Sequence, residues 1–393
     1  MTREGIALPA PQPTPLPTTQ STEGSLHNQQ RAKTYSRTKL LTSIVASLLS
    51  FTFLFLLVAL GVTQRLDIWT RSIVSNDYAA LLVFAGVLGL LQTALTLPLG
   101  FYSSYHLEHK YRLSNQSVGQ WAWERLKGMF VSLPIGTAVL LFLYFCIQQY
   151  QHWWWLPVSA ALALLSVVLA RLAPILIFPL FYKFTPLQSE SLKQRIHRLS
   201  AQAGVYVRGI FSFNLSKTTK KANAAFTGLG RAKRILLGDT LLAGFTEEEI
   251  EAVFAHELGH YKHKHILVSI VVGIVSTVAG LFLTAVLYAW SLGVFGFGSI
   301  GDLAALPLLA LWLSLFGLLT TPLGNMLSRH HERVADRYAV RTLGTSVSFV
   351  SALRKLSTTN LAHPNPHPFV EFMFYSHPSI NRRIQLVEEM QVQ

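Results

Sequence analysis

The sequence predicts a mainly α-helical, polytopic membrane protein of about six transmembrane helices, joined to a polar part that contains a small β-hairpin or sheet. Of its 393 residues, 51% are hydrophobic and only 13% are charged. Uncharged stretches of roughly 20 residues recur along the chain, and each is long enough to cross a bilayer as a helix. Residues 181–265 and the chain after residue 327 are polar instead. These observations indicate membrane spans that carry a folded domain on one side.

Residues 1–39 are predicted to form a disordered tail. Five prolines alternate with other residues from Pro9 to Pro17, and a stretch rich in Thr, Gln and Ser follows. Such a composition has too little apolar surface to pack, so no catalytic role is expected for it. A cleavable signal peptide lies closer to the N-terminus and has a shorter apolar core. The first span is therefore expected to remain in the protein.

Four transmembrane helices are expected within residues 40–180. The first three are charge-free runs over residues 40–62, 78–102 and 129–147. A fourth candidate covers residues 153–170 and opens with three tryptophans, which suit a membrane interface. The only cysteine, Cys146, lies inside the third run. A single cysteine excludes an intramolecular disulfide, and its place in a span leaves no good case for a cysteine nucleophile.

A transmembrane hairpin is expected to interrupt the polar domain of residues 181–393. Residues 266–300 form an uncharged run that is too long for one span. The glycine-rich residues 293–301 predict a turn, and a sixth helix is expected from about residue 303 to residue 327. The hairpin of residues 266–327 therefore returns the chain to the membrane face from which it departed.

The distribution of basic residues predicts the orientation in the membrane. With six spans, the tail, the polar domain and the loop of residues 103–128 share one side, whereas the other side shows only Arg65 and Arg71. Because cytoplasmic loops carry an excess of Lys and Arg, the polar domain is expected to be cytoplasmic. The membrane would be the inner membrane of a bacterium, or of endoplasmic reticulum type in a eukaryote. The formal net charge of +14 follows the same rule. The expected partner is thus the lipid bilayer, with no nucleic acid.

A His-Glu-Leu-Gly-His motif places His256 and His260 four positions apart. On a helix these positions share a face, so both imidazoles can reach one metal ion. Glu257 would lie beside the metal and take the proton of a water that attacks a peptide carbonyl. A capping box of Thr246 and Glu249, followed by apolar residues at helical spacing, predicts the helix. The pattern is typical of zinc proteases, although a structural pair of histidines on an amphipathic helix would look the same.

A catalytic zinc site needs a third protein ligand and an open fourth position. Since the predicted hairpin brings the chain back to the membrane face of His260, Glu332 can meet the two histidines. If this segment is helical, Asp336 lies one turn away from Glu332 and could hydrogen-bond a ligand imidazole. His330 and His331 are rival ligands, because the sequence alone does not orient the helix.

Residues 223–229 and 234–241 predict a pair of strands around a glycine-rich turn. An exposed edge there would let an extended substrate add as a further strand, although a purely structural hairpin is the alternative. Just upstream, Lys217, Lys220 and Lys221 either attract an acidic substrate terminus or belong to a solvated loop.

Together with the zinc motif, three other segments resemble the type I CAAX prenyl proteases. These are integral-membrane zinc metalloproteases related to bacterial heat-shock membrane proteases. The segments are residues 183–187, residues 221–228, and residues 374–378 with Arg383. The resemblance covers nearly all of the chain after the tail, and four spans before the zinc helix favour the prenyl protease branch. Two features differ: eukaryotic members have one more span, and their paired acids in the loop after span two are here reduced to Glu108.

The resemblance implies roles for residues that spacing alone does not single out. His377 and Arg383 would stabilise the oxyanion and help to hold the substrate, while Asn223 and Ala224 would bind the substrate backbone. An imidazole and a guanidinium are both donors suited to a developing negative charge. Without the resemblance, a surface turn at His377 and a solvated base at Arg383 would be the simpler interpretations.

We therefore expect a zinc-dependent membrane metalloendopeptidase with one catalytic Zn²⁺ held by His256, His260 and Glu332, and with Glu257 as its base. The resemblance implies a protein substrate with a prenylated cysteine near its C-terminus, from which three residues are removed. General quality control of membrane proteins is the alternative activity. A non-catalytic zinc-binding scaffold is an alternative of another class, but it would not require Glu257.

Overall fold

The computed structural model describes residues 19–227 and 234–390. Within these ranges six helices are long and apolar enough to cross a membrane, which confirms the predicted fold class. A small four-stranded mixed sheet belongs to the polar part, as expected. The six spanning helices are His27–Ala59, Asp77–Lys110, Val118–Trp153, Trp155–Phe181, His265–Ser291 and Leu303–Leu343.

The N-terminal half is helical and supplies four of the spans. Short π-helical turns at Tyr102–His106 and Ala173–Ile177 extend the second and fourth spans without ending them. The third span begins at a capping box formed by Ser117 and Gln120. The helices are α1 (Thr19–Ala59), α2 (Val62–Ile73), α3 (Asp77–Phe101), α4 (Leu107–Lys110), α5 (Val118–Tyr150), α6 (Trp155–Leu172) and α7 (Phe178–Phe181).

The predicted boundary of the disordered tail at residue 39 needs correction, because α1 already begins at Thr19. Tertiary contacts account for the longer helix: Ala32 and Tyr35 are buried against Leu107, Leu113 and Leu361. These partners lie far away in the sequence, so the local composition gave no sign of them. Residues 1–18 lie outside the described residues.

The polar part is formed by the remaining strands and helices, with a membrane hairpin in its middle. Up to the hairpin, the elements are β1 (Phe184–Pro186), α8 (Glu190–Gln202), β2 (Gly209–Phe213), β3 (Ala224–Thr227), β4 (Arg234–Gly238), α9 (Asp239–Gly244) and α10 (Glu247–Lys262). The hairpin and the C-terminal elements are α11 (His265–Ser291), α12 (Leu306–Leu343), α13 (Val347–Asn360), α14 (Pro368–Phe374) and α15 (Ile380–Glu389).

The sheet has the order β1-β2-β4-β3, which leaves β3 at an edge. Strands β2 and β4 are parallel, while β3 pairs with β4 antiparallel. The predicted strand pair is thus present, and its glycine turn at residues 228–230 lies outside the described residues. The sheet packs with α8, α10, α13 and α15 around one apolar core, which includes Ile196, Leu237, Leu258 and Leu353.

A second core joins the spans at the membrane face remote from α10. It contains residues from the far ends of α1, α5, α6, α11 and α12, among them Val58, Cys146, Trp154, Tyr288 and Leu308. Close packing of these side chains fixes the helices to one another at that end. At the opposite face, the spans surround the site described below.

Candidate active site

The site is built on two helices that approach each other unusually closely. The predicted capping box is present: Thr246 caps α10, and Glu249 completes the reciprocal bonds. At Gly259 a Cβ atom would lie 3.0 Å from the Cα of Ala335 on α12. A larger residue would push the helices apart, so glycine here lets the backbones touch. This contact places the motif histidines of α10 directly against α12.

Three groups converge as a candidate metal site: His256 and His260 from α10 and Glu332 from α12. Their ligand atoms all lie within 4.8 Å of one another. The Nε2 atoms of the two histidines are 3.1 Å apart. The carboxylate of Glu332 lies 3.5 Å from His256 Nε2 and 3.2 Å from His260 Nε2. Within the described residues, this is the only such group of three or more His, Cys, Asp or Glu side chains.

The surroundings of these three groups fit a metal ion. Glu332 is buried, and its Oε2 atom has no hydrogen-bond partner. A carboxylate oxygen without a hydrogen bond is costly to bury, and a metal ion would satisfy it. Two imidazoles and one carboxylate are a donor set typical of a catalytic metal site with an open position.

Asp336 contacts the candidate ligand His256. It is fully buried, and its Oδ1 atom lies 2.8 Å from Nδ1 of His256. If His256 donates its Nδ1 proton here, Nε2 keeps its lone pair for the metal. Burial lowers the pKa of His256, but the hydrogen bond to Asp336 and the negative charges of Asp336 and Glu332 together outweigh this effect, so the pKa is raised. The carboxylate therefore both orients the imidazole and increases its basicity.

Arg383 forms a bidentate ion pair, or fork, with the carboxylate of Asp336. Its Nε and Nη2 atoms lie 2.9 and 2.6 Å from the oxygens of Asp336. Burial alone would lower the pKa of this guanidinium, but Asp336 and Glu332 raise it. Nη1 is not used by Asp336 and lies 3.5 Å from Glu332 Oε2. Arg383 is thus within reach of the metal site, and the fork to Asp336 is a contact that the sequence analysis did not foresee.

The second ligand has a partner that the sequence analysis missed. His265 Nδ1 lies 3.0 Å from His260 Nδ1, which can hold the imidazole of His260 with Nε2 toward the metal. His265 stacks on His331 at a ring distance of 4.1 Å. The rival ligand His331 is not among the three groups that converge, and His330 is exposed. Lys264 has the left-handed conformation, at φ 56°, and turns the chain from α10 into α11. This turn brings His265 back toward His260. Nothing in the local sequence marked this turn.

Glu257 is half-buried and lines two cavities that meet at the site. The first has a volume of about 670 Å³ and extends along α6 and α11, where Leu162, Ile270 and Ile274 line it. It therefore reaches membrane depth. The second has a volume of about 510 Å³ and extends between α1, the start of β3 and α13. The proposed base thus faces both spaces from which a substrate could approach the metal.

The other predicted residues surround the same point. His377 lies with Nε2 at 3.4 Å from Glu332 Oε1 and lines both cavities. Asn223 and Ala224 line the second cavity, at the start of the edge strand β3. The arrangement can hold a cation, place an extended chain beside it and supply a carboxylate together with the N–H donors of Arg383 and His377. Those are the elements of peptide-bond hydrolysis.

Comparisons with known proteins agree with this chemistry. Residues 186–391 match the peptidase family M48, and residues 11–183 match the CAAX prenyl protease N-terminal region with five membrane helices. The uncharacterized metalloprotease YhfN of Bacillus subtilis is 31% identical over 91% of this chain and 85% of its own length. CAAX prenyl protease 1 of Saccharomyces cerevisiae is 31% identical over 80% of this chain and 73% of its own length.

A solved structure extends the similarity to three dimensions. The crystal structure of S. mikatae Ste24p superimposes with a TM-score of 0.81 at 26% identity, covering 92% of this chain and 89% of that one. The match includes both the membrane helices and the polar part. The chain therefore belongs to peptidase family M48, and it is an integral-membrane, multi-pass metallopeptidase.

Proposed function

We propose that this protein is a zinc-dependent endopeptidase that removes the last three residues of proteins whose C-terminal CAAX cysteine is prenylated. The observation that carries the proposal is the first cavity, which runs from Glu257 along α6 and α11. Its walls at membrane depth are mostly apolar side chains, so a prenyl chain could remain in a lipid-like environment while its peptide reaches the site. The similarity to CAAX prenyl protease 1 of Saccharomyces cerevisiae supports the same activity.

Zinc is the metal that the donor set favours, with His256, His260 and Glu332 as its ligands. When bound there, the ion would polarise a water molecule and the carbonyl of the scissile peptide bond. Asp336 keeps the imidazole of His256 in the required tautomer through its 2.8 Å contact. His265 does the same for His260.

Glu257 acts as the general base in this proposal. It takes a proton from the attacking water and then delivers it to the leaving amine, so no covalent intermediate with the protein is needed. Its position between the two cavities lets it serve a peptide that extends into both. Because it is not one of the three metal ligands, its removal should leave metal binding intact.

His377 and Arg383 stabilise the negative charge that develops on the carbonyl oxygen. Arg383 is held rigidly by its fork to Asp336 and retains Nη1 for this purpose. The side chain of His377 is 61% exposed and can adapt to the substrate. Preorganised donors of this kind are worth about 3 kcal/mol each in transition-state stabilisation. At the edge of the sheet, Ala224 binds the backbone of the substrate through its own backbone, and Asn223 does so through its side-chain amide.

The domain of residues 181–393 is placed on the cytoplasmic side in this proposal. The support is the excess of Lys and Arg on its side of the membrane, where α1 also begins. In a bacterium the protein would lie in the inner membrane, and in a eukaryote in a membrane of the endoplasmic reticulum type. A prenylated protein would then reach the site from the cytoplasm while its lipid enters from the bilayer.

The test compares purified wild-type protein with Glu257→Gln on two substrates. One is a farnesylated CAAX peptide, and the other is an unmodified unfolded polypeptide; products are identified by mass spectrometry and bound zinc is measured. We expect Glu257-dependent release of the last three residues from the farnesylated peptide, with stoichiometric zinc in both proteins. Loss of zinc from folded Glu257→Gln would contradict the role of Glu257 as a base.

The other outcomes separate the alternatives. Glu257-dependent cuts in the unmodified chain, with the farnesylated peptide left intact, would identify a general membrane-protein quality-control protease. If neither substrate is cut while zinc is bound, a non-catalytic zinc-binding scaffold becomes the better explanation.

A further inference from the structure

The second cavity carries a positive charge that the proposed chemistry does not use. Besides His256, Glu257 and Glu332, its lining includes Lys39 from α1 and Lys221 from the segment before β3. The metal site and two ammonium groups therefore open into the same space. A peptide that is cut at the metal and extends into this cavity would approach them.

The two lysines share a single counter-ion. Lys39 Nζ lies 2.6 Å from Glu108, and Lys221 Nζ lies 2.8 Å from the same carboxylate. Tyr35 donates its hydroxyl proton to Glu108 at 2.6 Å and accepts from both ammonium groups at 3.1 and 2.9 Å. Glu108 is the only carboxylate paired with either lysine within the described residues. Two cations and one anion leave one positive charge beside the cavity.

This charge is available to a ligand. An ammonium group has three N–H donors, and Lys39 uses two of them on Glu108 and Tyr35. Burial lowers the pKa of Lys221 even though Glu108 lies beside it. A second anion at this position would stabilise the charged form and complete the neutralisation.

The edge strand limits how far a substrate can extend toward the lysines. Gly238 N–H donates to the Asn223 carbonyl at 2.9 Å, so the backbone groups of Asn223 face β4. Because an antiparallel ladder alternates, those of Ala222 and Ala224 face the free edge. At Ala222, however, both groups are bound by the side-chain amide of Asn360, at 2.9 and 3.2 Å. A substrate strand can pair with Ala224 but must end or turn away at Ala222.

The two cavities also give the substrate a direction. Phe226, toward the end of β3, lines the membrane cavity, whereas Asn223 and Ala224 at its start line the cationic one. A chain antiparallel to β3 would place residues before the scissile bond near Phe226 and residues after it near Lys221. Three extended residues span about 10 Å, which is also the reach of the chain from Ala224 back to Lys221.

We propose that Lys39 and Lys221, held on Glu108, bind the terminal carboxylate of the substrate, while Asn360 ends the strand so that three residues fit beyond the cleaved bond. The inference rests on the proposed function and adds a specificity site to it. With this site, the enzyme selects a free C-terminal carboxylate at a fixed distance from the metal. It also selects the prenyl chain, which lies in the first cavity.

The experiment compares two farnesylated CAAX peptides that differ only at the terminus, one a free acid and the other an amide. For the wild-type protein, kcat/KM for the acid should exceed that for the amide by about tenfold to a hundredfold, the range expected for losing a charge-assisted hydrogen bond. The acid-to-amide ratio should fall toward one in Lys39→Gln and in Lys221→Gln. Lys220→Gln is the matched control, because this exposed lysine lies outside the cavity and should keep the wild-type ratio.

Equal kcat/KM values for acid and amide in the wild-type protein would overturn the inference. An acid-to-amide ratio that stays at the wild-type value in both Lys39→Gln and Lys221→Gln would also overturn it. The wild-type comparison does not depend on whether any variant folds. Thermal stability and bound metal, measured for each variant, show whether a changed ratio comes from the lost charge. If only the unmodified polypeptide is cut, the proposed function itself fails, and that result differs from equal cutting of acid and amide. A farnesylated peptide with one residue added after the CAAX sequence should also be cut more slowly than the CAAX peptide with a free acid, because its carboxylate would lie one residue too far from the cleaved bond.

Discussion

The carboxylate of Asp336 provides the sharpest test of how the site is supported. Its Oδ1 atom contacts His256 Nδ1 at 2.8 Å and Arg383 Nη2 at 2.6 Å, and its Oδ2 atom accepts from Arg383 Nε at 2.9 Å. Asp336→Asn keeps the shape but replaces one acceptor by an NH₂ donor and removes the charge. In its best orientation the amide oxygen takes the place of Oδ1 and keeps the contacts with His256 and Arg383 Nη2. The NH₂ group then takes the place of Oδ2, so two donors face each other at Arg383 Nε.

The magnitude follows from burial. The side chain of Arg383 is only 10% exposed and that of Asp336 is 0% exposed, so water does not replace the lost partner. Breaking a buried ion pair by removing one partner costs about 3–5 kcal/mol of folding free energy. The ligand His256 also loses an anionic partner, and such changes lower metal affinity by about 10–100-fold. The same change in the exposed pair of Arg354 and Glu388 should cost under about 1 kcal/mol.

The assay measures zinc retention against a competing chelator and thermal unfolding in detergent, for wild type, Asp336→Asn and the control Glu388→Gln. We expect weaker zinc binding and a lower unfolding temperature for Asp336→Asn alone. A double-mutant cycle with Arg383→Gln should show strong coupling, because removing both partners leaves no buried unpaired charge. Wild-type zinc affinity and stability in Asp336→Asn would refute the reasoning.

Three further changes test other parts of the structure. Gly259→Ala should separate α10 from α12 and reduce both zinc content and cleavage, since its Cβ would lie 3.0 Å from a backbone atom; unchanged zinc and activity would contradict the close contact. Glu332→Ala should abolish stoichiometric zinc binding while His331→Ala retains it, and the reverse result would identify His331 as the ligand. Glu249→Gln should cost about 1–3 kcal/mol of unfolding free energy at pH 7. Burial raises the pKa of Glu249, but Lys355 and the cap lower it overall from 4.5, so this cost should shrink as the pH falls below about 4.5; a cost independent of pH would argue against the ion pair.

The sequence by itself determined the membrane architecture and the first half of the site. Hydropathy is a local property, so charge-free runs located the apolar middle of all six spans, while several of the helices extend further at their polar ends than predicted. Helical periodicity is also local, and it placed His256 and His260 on one face of α10. Two predicted spans separate His260 from Glu332. Because an even number of spans returns the chain to the membrane face from which it departed, Glu332 was expected on the same face as His260. The resemblance to a family added His377 and Arg383, which spacing alone would not have selected.

The tertiary structure decided which groups meet. Whether Glu332 or His331 faces the histidines depends on the rotation of α12, which its contact with Gly259 sets. The fork from Arg383 to Asp336 joins residues 47 positions apart. Contacts across that distance leave no periodic signal in the sequence.

The same distinction explains the early start of α1 and the different positions of the upstream lysines. Tyr35 is ordered by partners 73 and 186 positions away, so composition alone made its segment look like a tail. Lys217, Lys220 and Lys221 looked alike in sequence, but only Lys221 lines the cavity at the metal site. The sequence thus determined which elements form and where they cross the membrane, because those depend on neighbouring residues. Packing between distant segments decided the candidate ligands, the residues that contact them and the charge in the cavity, because these depend on how whole helices are oriented.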